Sequence, residues 1–181
     1  MKEKYWHTAL QKSNLAIENN SLLPIDTEIL RIYNLRNYNF ILRSITSEEP
    51  LKPSIYGPSA NPFLPYEEDL IVSLIGNNHT LILNKYPVQL GHMLLVTKEW
   101  EPQNGWLTIN DLKSLEIVQS DTSGLWFFNS STMSGASQAH RHLQLLRRGP
   151  NDLICPRANW FFDYLDNILE IENSMSSRNS V

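Results

Sequence analysis

The stretch "SGASQAHRHLQLL", residues 134–146, decides how the rest of the chain is read. Small residues and serines lead into His140, His142 and Gln144 on alternate positions, with leucines after them. That alternation predicts a strand over 140–147. Successive strand side chains point to opposite faces, so the two imidazoles and the amide share one face along roughly 13 Å. Arg141, Leu143 and Leu145 then point to the other. Two imidazoles and an amide are costly to bury unpaired, so this face wants a metal, a polar ligand or a hydrogen-bond network.

Three arrangements fit a bare His-x-His. One is a structural cluster satisfied by backbone carbonyls. The second is a metal site, with His79 or His92 as a further ligand, although no carboxylate stands at ligand spacing beside the motif. The third is phosphoryl chemistry, in which a histidine attacks phosphorus and nearby donors hold the oxygens. The preceding "SGASQ" favours the third. Gly135 and Ala136 let backbone N–H groups approach an anion, and Ser134 and Ser137 add hydroxyls, as in a phosphate-binding nest.

Working outward, "GLWFFNS" (124–130) reads as a strand and "TINDLKSLEIVQS" (108–120) as a helix. Thr108 and Asp111 form a capping-box variant there, and Leu112, Leu115 and Ile117 lie on the apolar face. "LIVSLI" (70–75), the turn "GNN" and "HTLILN" (79–84) predict a hairpin, and "HMLLVT" (92–97) a further strand. Residues 50–65 hold five of the ten prolines and read as an extended loop. "YNFILRSI" (38–45) is another strand. Residues 4–19 are a helix with Tyr5, Leu10, Leu15 and Ile17 at loosely helical spacing. A last helix is expected over 159–173 with Phe161, Leu165, Ile168 and Leu169 inward, and a polar tail over 174–181. Hairpins with inserted and terminal helices indicate an α+β fold, a mostly antiparallel sheet flanked by helices, in a single domain over 1–181.

Composition bounds the function. The 181 residues suffice for one domain with a sizeable core, and a net charge of −4 gives no basic footprint for nucleic acid. No run approaches a membrane span, and no signal-peptide block opens the chain. The single cysteine, Cys155, excludes an intrachain disulfide and suits a reducing cytoplasm, where the protein is expected. Neither GxxxxGK[ST] nor GxGxxG is present, so a nucleotide would be held another way.

"NSSTMSGASQAHRHLQLL" (129–146) closely resembles the active-site segment of the histidine-triad superfamily, in the nucleotidyltransferase branch that has glutamine for the third histidine. Arg141 between the histidines, where galactose-1-phosphate uridylyltransferases have proline, makes it similar to the ATP adenylyltransferases, also called diadenosine tetraphosphate phosphorylases. "NPFLPYEEDLIV" (61–72), "LNKYPVQLGHMLLVTKEWEPQ" (83–103) and "LTINDL" (107–112) extend the resemblance over about residues 50–147. The chain reads as short after the motif compared with that family.

The resemblance implies a histidine-triad-like fold and two-step chemistry. His142 would attack the α-phosphorus of a nucleotide, and a second phosphate-bearing acceptor would collect the nucleotidyl group. With diadenosine tetraphosphate, ATP leaves and orthophosphate carries off AMP as ADP. Gln144 would hold a non-bridging oxygen, Ser137 would ease departure of the leaving group, and His140 would orient the site. Ser134, Gly135 and Ala136 would surround the distal phosphates. Asn129, Lys85, Asn61 and Gln103, with Lys98 as a weaker candidate, would contact nucleotide. No metal site is implied and no cofactor is needed for the covalent step, though a divalent cation such as Mg2+ could accompany the polyphosphate. The implied partners are nucleotides and phosphate, and a homo-oligomer is compatible with them. Two alternatives stay open: a truncated, non-catalytic or partner-dependent nucleotide-binding module, and a related dinucleotide hydrolase.

Overall fold

The structure, a computed structural model, describes residues 2–35, 38–46, 61 and 63–147. The expected helix over 159–173, the polar tail, Cys155 and most of the proline-rich loop lie outside the described residues. The fold is α+β, as expected. The described residues fall into two compact units. The smaller holds residues 28–44 and contains nearly all of a two-stranded sheet, β1 (Thr27–Leu35) and β2 (Tyr38–Ile45). β2 matches its expected bounds, while β1 was not anticipated.

The larger unit carries the quoted motif. Its elements are helix α1 (Lys4–Glu18), strands β3 (Ile71–Ile75), β4 (His79–Leu83) and β5 (Met93–Thr97), helix α2 (Ile109–Gln119), and strands β6 (Leu125–Phe127) and β7 (His142–Leu146). The strands form one five-stranded sheet in the order β3-β4-β5-β7-β6, antiparallel at every step. β3 and β4 form the expected hairpin, with Ile75 opposite His79. β7 inserts between β5 and β6, so Val96 lies opposite His142, and Gln144 lies between Leu94 and Phe127. Directly paired residues share a face. His142, Gln144, Leu94, Val96 and Phe127 therefore occupy one face of the sheet.

The opposite face builds the main core. Leu81, Leu83, Met93, Leu95, Leu143 and Leu145 are buried there together with Ala9 and Ala16 of α1. β4 and β5 are buried along their whole length, which explains why their sequences are nearly continuous apolar runs.

Both helices turn a different face inward from the one their apolar residues suggest. α1 buries Ala9, Ser13 and Ala16, small residues that allow close approach, while Leu15 remains 59% exposed. Its entry is fixed from afar: Tyr5 N–H donates to Asp121 Oδ2 (3.1 Å) and Trp6 N–H to Thr122 Oγ1 (3.2 Å). These bonds satisfy amides that a helix start leaves without intrahelical partners. α2 has the expected capping box, in which Asp111 N–H donates to Thr108 Oγ1 and Thr108 N–H to Asp111 Oδ2. It buries Asp111, Ser114 and Val118, while Leu112 and Ile117 are exposed and Leu115 is partly buried. The polar side chains dictate this rotation, because a buried carboxylate needs partners that lie only on the sheet side.

Two glycines allow close approaches. A Cβ at Gly124 would stand 2.5 Å from the Leu146 carbonyl oxygen, so β6 can lie against β7 only without one. Gly91, at φ +74°, faces the Trp6 ring, and a Cβ there would collide with it. Gly91→Ala should therefore lower stability by about 1–3 kcal/mol, through positive-φ strain and loss of the Trp6 contact. Urea unfolding followed by tryptophan fluorescence measures this, and an unchanged midpoint would contradict the packing described.

Candidate active site

His140 and His142 are both buried, yet their ring nitrogens are used very differently. His140 Nε2 lies 2.9 Å from the Thr97 carbonyl oxygen and 3.2 Å from that of Glu99. Carbonyls only accept, so Nε2 carries the proton. His140 Nδ1 then accepts from Asn61 Nδ2 at 2.8 Å, while Asn61 Oδ1 accepts from Phe63 N–H at 3.1 Å. Both nitrogens of His140 are thus committed. It ties the Asn61–Phe63 segment to the end of β5 and has no lone pair to offer.

His142 is the reverse. Its Nδ1 donates to the His140 carbonyl at 2.7 Å, which fixes the tautomer and leaves the Nε2 lone pair without a partner among the described residues. Its backbone is clamped by one side chain: His142 N–H donates to Gln103 Oε1 (2.8 Å), and Gln103 Nε2 donates to the His142 carbonyl (3.1 Å) and to that of Asn129 (2.8 Å). The Phe63 ring meets the His142 ring edge-on, with centroids 5.3 Å apart. Burial pushes the His142 pKa below its ordinary value, against the support of the His140 carbonyl, and the neighbouring His140 lowers it further. At neutral pH His142 is an uncharged imidazole with an available nitrogen.

Beneath this site, on the other face, Arg141 and Asp111 form a buried ion pair, with Nη2–Oδ2 at 2.6 Å and Nε–Oδ2 at 2.9 Å. Arg141 also donates to the carbonyls of Trp106 (2.7 Å) and Asn104 (3.1 Å). The second Asp111 oxygen lies 3.0 Å from His79 Nε2, whose Nδ1 is 2.9 Å from Ser114 Oγ. Serine, histidine and aspartate in a row resemble a hydrolytic triad, but all three are buried and the carboxylate already neutralises Arg141, so the arrangement is structural. The His79 and Arg141 hydrogen bonds hold the Asp111 carboxyl well below the usual range and outweigh its burial.

The loop before β7 differs in detail from the expected nest. The N–H groups of Ser134, Gly135 and Ala136 are used within the turn, donating to Ser131 O, Thr132 O and Ser131 O at 3.0 Å each. Asn129 Nδ2 donates to the Gly135 carbonyl (3.3 Å), which fastens the turn to the end of β6. Among the described residues, the Ser137 N–H and hydroxyl and the Gln138 N–H have no hydrogen-bond partner. The free backbone donors therefore sit two residues nearer the histidines than Gly135 and Ala136, while the Ser137 hydroxyl is a free donor at the position the sequence named. Gln144, half-buried, follows His142 on the same face.

Of the other candidates, Asn61 and Gln103 act on the histidines rather than facing a ligand. Lys85 pairs with Glu67 at 2.6 Å on the surface, and Lys98 donates to the Gly76 carbonyl at 3.0 Å. His79 is committed to Asp111 on the far face, so it cannot complete a metal site with His142. Among the described residues no group of three or more His, Cys, Asp or Glu is placed to hold a metal ion. Asp111, Phe63 and the clamping roles of Arg141 and Gln103 were not anticipated. The capping box did flag Asp111, but only as a helix-start residue.

Among the described residues, an unpartnered Nε2 on His142 and, four and five residues before it in the chain, unspent N–H and hydroxyl donors form a combination of groups suited to a phosphate-bearing ligand. The comparisons give the family: the chain belongs to that of the Ap4A phosphorylase N-terminal domain (Ap4A is diadenosine tetraphosphate), whose model matches residues 1–152. It is 37% identical over 101 residues to diadenosine 5',5'''-P1,P4-tetraphosphate phosphorylase 2 of Saccharomyces cerevisiae, covering 48% of this chain and 31% of that protein. It is likewise 37% identical over 94 residues to Protein APA1 of the same yeast, covering 46% and 29%. The solved structure of yeast Ap4A phosphorylase Apa2 in complex with Ap4A superimposes with a TM-score of 0.69 at 28% identity, covering 89% of this chain and 55% of that one. The same protein in complex with AMP gives 0.61 at 29% identity, covering 77% and 49%. This chain thus spans about a third of the curated relatives' length and half of the solved chains. Among the described residues no helix is long and apolar enough to cross a membrane.

Two outcomes follow from this geometry. Asp111→Ala leaves Arg141 buried without its counter-charge and should cost about 3–5 kcal/mol, measured by chemical unfolding. The site histidines also make stability depend on pH. Burial pushes His92 down to about 4, and His140 and His142 are lowered too. A histidine whose folded pKa is depressed contributes stability that is present above its unfolded pKa, about 6.5, and is lost as pH falls. Unfolding free energy should therefore drop between pH 6.5 and 4, by roughly 2–3 kcal/mol from His92 alone, and His92→Gln should flatten that slope. A slope unchanged by the substitution would contradict the assignment.

Proposed function

We propose that this chain carries out nucleotidyl transfer through His142, with phosphorolysis of diadenosine tetraphosphate to ATP and ADP as the reaction. The observation that carries this reading is the His142 Nδ1–His140 carbonyl hydrogen bond, which aims an uncharged Nε2 lone pair at the face holding Gln144. The choice of substrate is supported by family membership and by the Ap4A and AMP bound to the yeast neighbour.

In the first step Nε2 forms a bond to the α-phosphorus of one adenosine while the bond from that phosphorus to the next bridging oxygen breaks. ATP leaves, and AMP stays on His142. The ring becomes cationic on attack, and the His140 carbonyl accepting from Nδ1 stabilises that charge. In the second step an orthophosphate oxygen attacks the same phosphorus, the N–P bond breaks and ADP leaves. Splitting one displacement into two lowers each barrier. The Ser137 donors and the Gln138 N–H neutralise charge on the phosphate oxygens, and Gln144 donates to a non-bridging oxygen. An amide carries no readily transferred proton, which favours transfer to phosphate over hydrolysis. The covalent step draws on the chain's own residues, and a divalent cation such as Mg2+ would accompany the polyphosphate.

The test is a turnover assay on the 181-residue chain with diadenosine tetraphosphate, with and without orthophosphate. Phosphate-dependent release of ATP and ADP is expected, with a loss of at least about a thousandfold in His142→Ala and a smaller loss in His140→Ala. AMP binding without turnover would instead identify a nucleotide-binding module, and phosphate-independent release of AMP a hydrolase.

A further inference from the structure

His92 holds a buried nitrogen that the chemistry above does not use. The residue is 6% exposed, and among the described residues its Nε2 has no hydrogen-bond partner. The hydrogen bonds behind it determine what that nitrogen is. Tyr86 N–H donates to Asn84 Oδ1 at 3.1 Å, and an amide N–H can only donate, so Asn84 has its Nδ2 on the other side. Asn84 Nδ2 lies 3.1 Å from His92 Nδ1, which must therefore accept. With its pKa pushed down to about 4, chiefly by burial, the ring is neutral, and its one proton sits on Nε2. Nε2–H is thus a buried donor left over.

Its surroundings show where it points. The Asn84 N–H to His92 carbonyl bond (2.9 Å) extends the β4–β5 ladder by one residue. Strand alternation then puts His92 on the face of Leu94 and Val96, the face of His142 and Gln144. Its ring lies 6.3 Å from that of Phe127, which is directly opposite Gln144. Gln144 and His142 both influence its protonation, the amide favouring the charged form and the imidazole opposing it. The Gln144 amide is therefore in range, though not yet in hydrogen-bonding geometry. A broad terminal side-chain torsion closes such a gap at little cost, whereas a buried donor left unmade is expensive.

We propose that His92 is a positioning residue for Gln144, with its Nε2–H donating to the Gln144 carbonyl oxygen so that the amide NH2 faces the transferred phosphate. Tyr86, Asn84, His92 and Gln144 then form a relay in which each donor fixes the orientation of the next group. Without it the two ends of the amide are nearly equivalent to the protein, and half of the orientations present an oxygen to an anion. The effect on catalysis rests on the function proposed above; the hydrogen bond itself does not.

The direct test is nitrogen-15 NMR of the histidine side chains in the free 181-residue chain. An exchange-protected proton on His92 Nε2 is expected, lost in Gln144→Leu and kept in Gln144→Glu. A proton on Nδ1, or an Nε2–H indifferent to Gln144→Leu, would overturn the proposal. With diadenosine tetraphosphate and orthophosphate, His92→Phe should lower kcat about tenfold with KM changed less than about twofold, and His92→Gln, which keeps a donor, should recover most of the loss. Equal kcat for His92→Phe and wild type would also overturn it. A wild-type protein with the NMR signature but no turnover would leave the proposal standing and sink the functional reading.

Discussion

Arg141, which stands between the two motif histidines in sequence, buries its guanidinium on the far face of the sheet against the carboxylate of Asp111. Much of the site depends on that pair. Arg141 gathers the carbonyls of Asn104 and Trp106, which fixes the loop carrying Gln103. Gln103 in turn holds the His142 backbone by its N–H and its carbonyl, and the end of β6 through Asn129. Asp111 also sets the rotation of α2 and, through His79, ties that helix to β4. A buried ion pair of this kind is not a strong source of net stability, but breaking it is costly. Its value here is positional: it holds the strand of His142 in place from the far face of the sheet.

On that face, backbone carbonyls separate the roles of two chemically identical side chains. His140 faces the carbonyls of Thr97 and Glu99 and is locked as an Nε2–H tautomer. His142 faces the carbonyl of His140 and is locked as an Nδ1–H tautomer. One ring becomes a brace and the other, in the function proposed, the nucleophile, two residues apart. Burial, with Phe63 packed on both rings, favours the uncharged form of each, as the proposed attack by His142 would require.

The elements carrying the site were largely legible in the sequence. Continuous apolar runs marked β4 and β5, turn residues marked the β3–β4 hairpin, Thr108 and Asp111 marked the start of α2, and alternation put His142 and Gln144 on one face. What was not legible depends on contacts between distant segments. The apolar residues of α2 pointed to Leu112 and Ile117, but a carboxylate seeking Arg141, 30 residues away, turned the helix instead. In α1, small residues rather than Leu15 face the sheet, because packing there is set by distance of approach. Asn61 and Gln103 were implied as ligand contacts by the family resemblance; the fold adds that their amides are hydrogen-bonded to His140 and to the His142 backbone. Of the expected nest, the Gly135 and Ala136 N–H groups are consumed by their own turn, which residue types alone do not reveal.

The central claim is that Nε2 of His142 attacks phosphorus while His140 supports it. The most direct measurement is phosphorus–nitrogen NMR on protein with nitrogen-15 histidines, trapped after mixing with diadenosine tetraphosphate in the absence of orthophosphate. The account predicts a one-bond coupling between the AMP phosphorus and Nε2 of His142. A phosphorus bonded to His140, or to Nδ1 of His142, would contradict it, as would a wild-type protein that turns over substrate without any such bond.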